Sequence, residues 1–155
     1  MLRLTRLTDY GILLMAEMAV DDGRLCTAAE MSELTHIPAP TVSKVLQALL
    51  ATGLLESIRG ARGGYRLART ANQISLREII NALEGHIALT ECNLDHTDCE
   101  QMPYCSTHGN WKRINEAIRD VLENISLADM TTPGFMPLFR MERVIPVRSV
   151  SGVHP

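Results

Sequence analysis

The sequence predicts a mainly α-helical fold with a small β-hairpin wing, in which a winged helix-turn-helix is followed by a long dimerisation helix. Three observations predict this fold. Apolar residues recur at helical spacing in several segments that open on capping residues. Two strand-like segments then flank a glycine-rich basic turn. Further along, one segment repeats its apolar residues at alternating intervals of three and four, which is typical of helices that pair.

The totals exclude several classes of protein. A chain of 155 residues is one domain, or one domain with an appendage. We find neither a signal peptide nor an apolar run approaching the ~20 residues that cross a bilayer, and we expect a cytoplasmic protein with no membrane partner. The net charge of −3 does not by itself indicate a nucleic-acid binder. In a reducing cytoplasm, clustered cysteines favour a metal over disulfides.

The first three predicted elements are helices. Thr8 is the candidate N-cap of the first, which ends at Asp21–Gly23. A capping box at Thr27–Glu30 opens a short second helix. Pro40 suits the first turn of a third helix, whose apolar stripe consists of Val42, Val45, Leu46, Leu49 and Leu50. Two short helices joined by a tight turn form the helix-turn-helix pattern.

The opposite face of the third helix carries short polar side chains and one cation. Such side chains suit base edges and phosphates in a DNA groove, and they are Thr41, Ser43, Lys44 and Gln47. An ordinary helical hairpin with a solvated face would show the same pattern. This segment alone therefore does not decide between DNA binding and a simple supersecondary unit.

The following segment favours DNA binding. Strands are expected over residues 54–59 and 65–68, on either side of Gly60–Gly64, and a hairpin directly after a helix-turn-helix is a wing. Four cations form a local basic patch with the single Glu56, namely Arg59, Arg62, Arg66 and Arg69. Arg59 and Arg62 can reach phosphates or a minor groove. The alternative is a hairpin tip kept polar for solubility. We predict a DNA-binding domain over residues 1–85.

The remaining helices follow from capping and periodicity. Ser75–Glu78 is a second capping box, and Gly85 ends the helix that it opens. A long helix is then expected from about residue 107 to 128, with a seam of Trp111, Ile114, Ile118, Val121 and Ile125. We predict dimerisation through residues 109–130; the alternative is packing within the same domain. Residues 131–155 lack periodicity and are expected to form a flexible tail.

Residues 86–108 are predicted to form a cysteine-rich loop. Its candidate metal ligands, spaced C-x6-C-x5-C-x2-H, are Cys92, Cys99, Cys105 and His108. Neither Lys nor Arg occurs between Glu78 and Trp111, and thiolates with an imidazole suit a metal centre. The intervals are long for a zinc site and suit a loop around an iron–sulfur cluster. Structural zinc and a disulfide remain alternatives, and a histidine near a helix start is often a capping or surface residue.

As a set, these motifs resemble the Rrf-type winged-helix transcription regulators, the family that contains the IscR-like and NsrR-like iron–sulfur proteins. The resemblance runs from residue 1 to about residue 130. It is carried by Leu4–Tyr10, Arg59–Leu67, Ile80–Gly85 and the three-cysteine loop. Leu89–Cys92 and Asn110–Trp111 are most similar to the proteobacterial regulators of the SUF assembly operon.

The resemblance implies a homodimer whose cluster state alters operator binding. It carries the ligand role to Cys92, Cys99 and Cys105. IscR-like proteins use a histidine at the place of His108 with a 2Fe–2S cluster, whereas NsrR-like proteins can use an aspartate from the other subunit with a 4Fe–4S cluster, at the place of Asp9. We favour 2Fe–2S and His108 and leave the other pair open. Recognition roles carry over to Thr41, Ser43, Lys44, Arg59 and Tyr65.

We therefore expect an iron–sulfur-dependent regulator, most simply a repressor of iron–sulfur assembly (SUF or ISC) genes, that binds a two-fold operator in double-stranded DNA as a homodimer. One alternative is a zinc-stabilised winged-helix repressor without cluster sensing. Another is a nitric-oxide or redox sensor of the same family. The sequence contains neither a nucleotide-binding fingerprint nor a Ser/His/Asp set, so we expect no enzyme and no small-molecule substrate.

Overall fold

The computed structural model describes residues 4–21, 23–94 and 99–136. Its helices are α1 (Arg6–Val20), α2 (Ala28–Thr35), α3 (Ala39–Ala51), α4 (Leu76–Glu84), α5 (His108–Glu123) and α6 (Leu127–Thr131). Strands β1 (Leu55–Ile58) and β2 (Gly64–Leu67) form one antiparallel hairpin. Short 3-10 turns occur at Ala71–Gln73, Glu91–Asn93 and Met102–Tyr104. The predicted fold class, mainly helical with a hairpin wing, is confirmed.

Helix α1 is the centre of the core and packs against α3, α4 and α6. At Gly11 the missing side chain leaves room for the Leu83 side chain of α4, so the two helices approach closely. The core is aliphatic and sulfur-rich, as the low aromatic content requires. Its largest fully buried side chains include Leu14, Met15, Met31, Leu46, Leu49, Leu55, Ile74, Ile79, Ile80 and Leu127.

The start of α1 differs from the prediction. Thr5 is the N-cap, and its hydroxyl oxygen accepts from the Thr8 backbone N–H at 3.4 Å. Thr8 lies inside the helix and is fully buried, and its hydroxyl donates to Glu84 Oε1 at 2.6 Å. The same carboxylate oxygen accepts from the Thr5 N–H at 2.6 Å. The prediction of Thr8 as N-cap was therefore wrong, because Thr8 instead joins α1 to the end of α4.

The helix-turn-helix forms as its capping residues predict. The Thr27 hydroxyl accepts from the Glu30 N–H at 3.2 Å, and Glu30 accepts from the Thr27 N–H at 2.7 Å. The turn between α2 and α3 places His36 at a φ of 58°, and the Ser32 hydroxyl donates to the Ile37 carbonyl at 2.6 Å. Pro40 occupies the first turn of α3, as predicted. These bonds fix the angle between the two helices.

The wing pairs Leu55 with Leu67 and Ile58 with Gly64. Gly63 is required at its tip, because a Cβ there would collide with the Ile58 carbonyl oxygen. The returning strand is also bonded on its other side, where Cys26 and Tyr65 exchange two backbone hydrogen bonds of 2.9 and 2.8 Å. The hairpin is therefore bonded to the segment that precedes α2 and does not project alone.

The end of the described chain contains two helices instead of the single long helix expected over residues 107–128. Helix α5 ends at Glu123, and Ser126 opens α6 with its own capping box, accepting from the Asp129 N–H at 3.1 Å. The break allows Leu127 to enter the core, where it is fully buried. Of the expected tail, residue 131 is still helical and residues 132–134 form a bend and a turn. Residues 137–155 lie outside the described residues.

Among the described residues, no helix has the length and apolar character needed to cross a bilayer.

Candidate nucleic-acid interface and cysteine loop

Helix α3 presents its predicted contact residues on the side opposite the core. Its buried face consists of Val42, Val45, Leu46 and Leu49. Lys44 and Gln47 are exposed on the other side, while Thr41 and Ser43 are half-buried. The structure therefore leaves a polar, singly cationic helix face open to a groove, as a recognition helix requires.

Two of the four cations of the basic patch are exposed and have no carboxylate partner among the described residues. Arg59 follows β1, Arg62 lies in the turn, and both are exposed. Within the described part of the chain, neither forms an ion pair. Tyr65 is half-buried on β2, beside them in sequence, and its backbone bonds Cys26. Arg59 and Arg62 are therefore accessible to an external anion.

The other two cations of the predicted basic patch hold the domain together. Arg66 donates through Nε and a terminal nitrogen to Glu56 Oε2, at 3.1 and 2.9 Å, across the paired strands. Arg69 donates to Glu78 at 2.6 Å and to the Gln73 carbonyl at 2.8 Å. Ion pairing therefore divides the patch into two structural arginines and two available ones.

Glu78 is the acceptor that joins the wing to α4. Partial burial opposes its ionisation, but hydrogen bonds from the Ser75 backbone and the Arg69 guanidinium outweigh that effect and lower the pKa of the Glu78 carboxyl. The predicted capping box at Ser75 is confirmed, with the Ser75 N–H donating to Glu78 at 2.9 Å. Glu78 thus ties the end of the wing to the first turn of α4.

The three loop cysteines are free thiols that are neither fully buried nor fully exposed. Cys92 lies in the 3-10 turn Glu91–Asn93, with its Sγ 3.2 Å from the Thr90 hydroxyl. Cys105 lies just before α5, with its Sγ 3.4 Å from the Thr107 hydroxyl. Cys99 follows residues 95–98, which are outside the described part. The fourth cysteine, Cys26, is a buried thiol of the wing domain.

The thiol pKa values of Cys105, in the loop, and of Cys26, outside it, are shifted in opposite directions. Hydrogen bonds from the Thr107 hydroxyl and from the backbone N–H groups of Thr107 and His108 lower the pKa of the Cys105 thiol. These donors belong to the first turn of α5, where the helix dipole also favours a thiolate. By contrast, burial raises the pKa of the Cys26 thiol. Of these two thiols, Cys105, the predicted ligand, is the one whose surroundings favour the thiolate.

The described residues do not bring three of the predicted ligands together, since no group of three or more His, Cys, Asp or Glu side chains there has the arrangement of a metal site. His108 is the first residue of α5, and its Nδ1 is buried without a hydrogen-bond partner in the described structure. Asp9, the alternative ligand, is exposed in the first turn of α1. The donor types fit a thiolate-bound centre, and His108 retains a free ring nitrogen.

Helix α5 holds the beginning of the loop through two residues that the sequence analysis missed. Asn115 is 1 % exposed; its Oδ1 accepts from the Leu89 N–H at 3.0 Å and its Nδ2 donates to the Ile87 carbonyl at 3.4 Å. Arg119 Nε donates to the same carbonyl at 3.0 Å. The sequence analysis singled out neither side chain, and only their spacing of one turn could have indicated a shared role.

The residues of the predicted dimer seam divide into two groups. Trp111 and Ile114 are 40 % and 45 % exposed, whereas Ile118, Val121 and Ile125 are half-buried. Ile118 lines a cavity of about 270 Å³ between α5 and the end of α4, together with Ile80. The first half of the seam is thus open to a partner, and the second half also packs within the chain.

Comparison with known proteins gives a consistent result. The sequence profile of the Rrf2 family, described as iron-dependent transcriptional regulators, matches residues 4–133. A Haemophilus influenzae protein assigned as an HTH-type transcriptional regulator is 32% identical over 130 residues, which cover 83% of this chain and 86% of that protein. The matched region contains the winged helix, the cysteine loop and α5.

Solved structures of two regulators are similar to this chain over most of its length. CymR, the global cysteine regulator of B. subtilis, superposes with a TM-score of 0.66 at 28% identity, covering 84% of this chain and 97% of that one. IscR of T. potens superposes with a TM-score of 0.62 at 29% identity, covering 83% and 85%. Each similarity covers more than four-fifths of this chain.

Proposed function

Because the chain belongs to the Rrf2 family of winged-helix transcription regulators, which bind DNA and are not enzymes, we propose that it is an iron–sulfur cluster-dependent regulator that binds a two-fold operator as a homodimer. Its target genes in this proposal are those of iron–sulfur assembly, SUF or ISC, and its action is repression. Since the operator is chromosomal, the cytoplasm is the compartment that this function requires.

The observation that carries the DNA-binding part is the division of the wing cations. Arg59 and Arg62 are exposed and lack an ion pair in the described chain, while Arg66 and Arg69 are bound to Glu56 and Glu78. An arginine without a carboxylate partner can form a charge-assisted hydrogen bond with a phosphate without first breaking an ion pair. Lys44 adds a third available charge from α3.

The donor set supports an iron–sulfur cluster as the sensing group. Cys92, Cys99 and Cys105 would hold it, with His108 or the Asp9 of a second subunit as the fourth ligand. A bound cluster supplies a redox-active centre with net negative charge. Cys105 and His108 lie at the N-terminus of α5, whose partial positive charge favours such a group.

Helix α5 offers a physical path from the loop to the DNA-binding domain. Its start carries His108, and beyond its end Ile125 accepts from the Leu76 N–H at 2.8 Å. The Leu127 N–H donates to the Ile74 carbonyl at 2.8 Å. A cluster that binds the three thiols would restrain the loop against α5. Loss of the cluster would remove that restraint. A movement of α5 would be transmitted through residues 74–76 to the start of α4, where Glu78 is paired with Arg69, just after the wing.

The dimer part of the proposal is supported by the open half of the seam. Trp111 and Ile114 expose large apolar surface on one helix, and a self-complementary patch of this kind suits a two-fold pair. Two wings related by such an axis would meet a two-fold operator with matching half-sites. Within the described part of the chain, both side chains remain exposed to water.

A second candidate is a regulator of the same family that works without a cluster. The observation that favours it is that the described residues do not gather three ligands at one place. The similarity to CymR, named for cysteine regulation, is as strong as the similarity to IscR. A zinc-stabilised repressor without cluster sensing is a variant of this candidate. A nitric-oxide or redox sensor of the same family is a separate alternative.

Metal analysis of protein purified without oxygen separates the candidates. The proposal expects visible absorption with iron and acid-labile sulfide, about two of each per chain for a 2Fe–2S cluster. About one zinc per chain in a colourless protein would indicate the zinc-stabilised repressor. Neither metal nor sulfide, together with specific promoter binding, would indicate the cluster-free regulator.

A mobility-shift assay then tests regulation. Cluster-loaded and chelated protein are compared on promoter fragments of iron–sulfur assembly genes, with an unrelated fragment as control. The proposal expects the two forms to differ in affinity for the specific fragments only. Equal affinity of both forms would contradict cluster-dependent regulation while leaving DNA binding intact.

A further inference from the structure

Both ends of the cysteine loop are attached to the same helix. The later end runs directly into α5, since Cys105 precedes His108 by three residues. The earlier end is held through the Leu89 N–H and the Ile87 carbonyl, which bond Asn115 and Arg119. The thiol of Cys92 follows Leu89 by three residues. The distance from Cys92 to Cys105 and His108 therefore depends on how the two ends of the loop are attached to α5.

The attachment uses a single face of α5. His108 and Asn115 are seven residues apart, and residues at i and i+7 share a helix face. Their separation along the axis is about 10 Å at 1.5 Å per residue. Asn115 is 1 % exposed, and the Nδ1 of His108 is also buried. The two buried polar groups thus lie on the side of α5 that faces the loop.

Asn115 has the chemistry that this attachment requires. Its amide accepts from the Leu89 N–H and donates to the Ile87 carbonyl, so one side chain satisfies both a donor and an acceptor of this segment. The turn that follows this segment is closed by a second asparagine. The Thr90 carbonyl accepts from the Asn93 N–H at 3.0 Å, and the Thr90 hydroxyl accepts from Asn93 Nδ2 at 2.7 Å. Cys92 lies within that turn, which contacts α5.

From this geometry we infer that Asn115 is a positioning residue for the metal centre: it holds the turn bearing Cys92 on the face of α5 that carries His108. This inference rests on the proposed function. A buried polar residue with two backbone bonds is costly to leave unpaired, which makes the position of residues 87–89 specific. Asn115 does not touch the metal itself; it fixes where one ligand can lie, as outer-shell residues do at other metal sites.

The test uses two variants and a matched control. Asn115→Leu keeps most of the side-chain volume and removes both hydrogen bonds, and Asn115→Ala removes volume as well. Glu116→Ala, at the neighbouring exposed position of α5, is the control. Circular dichroism first establishes that each variant is folded. The full-length chain is used throughout, purified without oxygen.

In the metal-free proteins, amide hydrogen exchange of residues 87–89 is expected to accelerate in both Asn115 variants and to stay unchanged in the control. In the loaded proteins, iron loss to a chelator is expected to accelerate roughly 10- to 100-fold, the range found for lost outer-shell partners. Asn115→Leu should match Asn115→Ala in both measurements, because the bonds and not the volume carry the effect.

Three outcomes would overturn the inference. Unchanged exchange at residues 87–89 would show that Asn115 does not hold the segment. Faster exchange with unchanged iron loss would show that the segment does not position a ligand. Wild-type behaviour of Asn115→Leu alone would assign the effect to packing. If wild-type protein carries no iron at all, the proposed function fails and this inference with it, whereas iron in the wild type with unaltered variants removes the inference only.

Discussion

The wing and the cysteine loop are held in opposite ways. Strand β2 of the wing is bonded on both sides, by the ladder with β1 and by the Cys26–Tyr65 pair, and the Arg66–Glu56 ion pair lies across the two strands. The described residues of the loop form short 3-10 turns, and the thiols of Cys92 and Cys105 lie within hydrogen-bond distance of nearby hydroxyls. Its firm attachments are at its two ends, on α5.

The difference indicates which region is complete in the chain alone. The backbone of the wing is paired within the hairpin and with Cys26, so its conformation is set by the chain itself. The described part of the loop carries thiol donors that are not gathered at one place. In the proposed function, a bound cluster would fix them. In the proposed function, the wing keeps one conformation and the loop takes two, one with the cluster bound and one without it. A switch of this kind requires that the two states differ in their contacts with the ligand.

The largest expected effect comes from removing a loop thiol. Cys99→Ala should lose essentially all iron, because a cluster held by three thiolates does not survive the loss of one. Cys26→Ala is the matched control, since Cys26 is the buried thiol of the wing domain and should retain iron. Iron and sulfide analysis measures both. Full iron content in Cys99→Ala would remove the loop from the sensor.

The connection between the two regions is tested by Leu127→Ala. Leu127 is fully buried where α6 enters the core, and its loss should lower the free energy of unfolding by about 3 kcal/mol. Met130, on the same helix, is 42 % exposed, and Met130→Ala should change it by less than about 0.5 kcal/mol. Urea unfolding measures both. Equal values for the two variants would mean that α6 does not anchor α5 to the wing domain.

The division of the wing cations is tested by comparing two arginines. Arg59→Ala should weaken operator binding about tenfold, because a hydrogen bond to a charged group contributes roughly 1.5 kcal/mol. It should also lower the slope of log affinity against log salt by about 1 for each lost phosphate contact. Arg66→Ala should change the slope little, since Arg66 is paired with Glu56. Binding titrations at several salt concentrations decide between them, and identical slopes would contradict the division.

The smallest expected effect is at the junction of wing and α4. Glu78→Gln should lower the free energy of unfolding by about 1 kcal/mol or less at neutral pH, because Glu78 is partly solvated. The lowered pKa of Glu78 means that its stabilisation is present above the unfolded value of about 4.3 and is lost as the pH falls through the folded value. The difference from wild type should therefore shrink in acid.

Denaturant unfolding at about pH 7 and about pH 3.5 measures this change, with Glu33→Gln as an exposed control on α2. A difference that stays constant between the two pH values would show that the Glu78 charge does not stabilise the junction.

Much of the fold could be predicted because local signals agreed with the packing. The capping boxes at Thr27 and Ser75, the first-turn Pro40 and the glycine-rich wing tip all formed where the sequence places them. Each signal acts within a few residues. The family resemblance was also predictable from the same motifs, and the family profile confirms it.

The parts that could not be predicted depend on distant contacts. The continued heptad spacing at Ile125 concealed the helix break, although Ser126–Asp129 is itself a capping box. The roles of Thr8 and Asn115 require partners 76 and 26 residues away, Glu84 and Leu89, which no local pattern reveals. The assignment of ligands, contact residues and domain limits remains a prediction, because it depends on a cofactor, DNA and a second subunit.

The central claim is that the state of the loop sets the affinity of a preformed DNA-binding wing. Fluorescence anisotropy of a labelled promoter fragment, titrated anaerobically with loaded protein and with the same protein after iron chelation, measures it directly. We predict dissociation constants that differ by roughly 5- to 150-fold, the usual range of coupling between two sites. Cys99→Ala should bind like the chelated form. Equal constants for loaded and chelated protein would contradict the account.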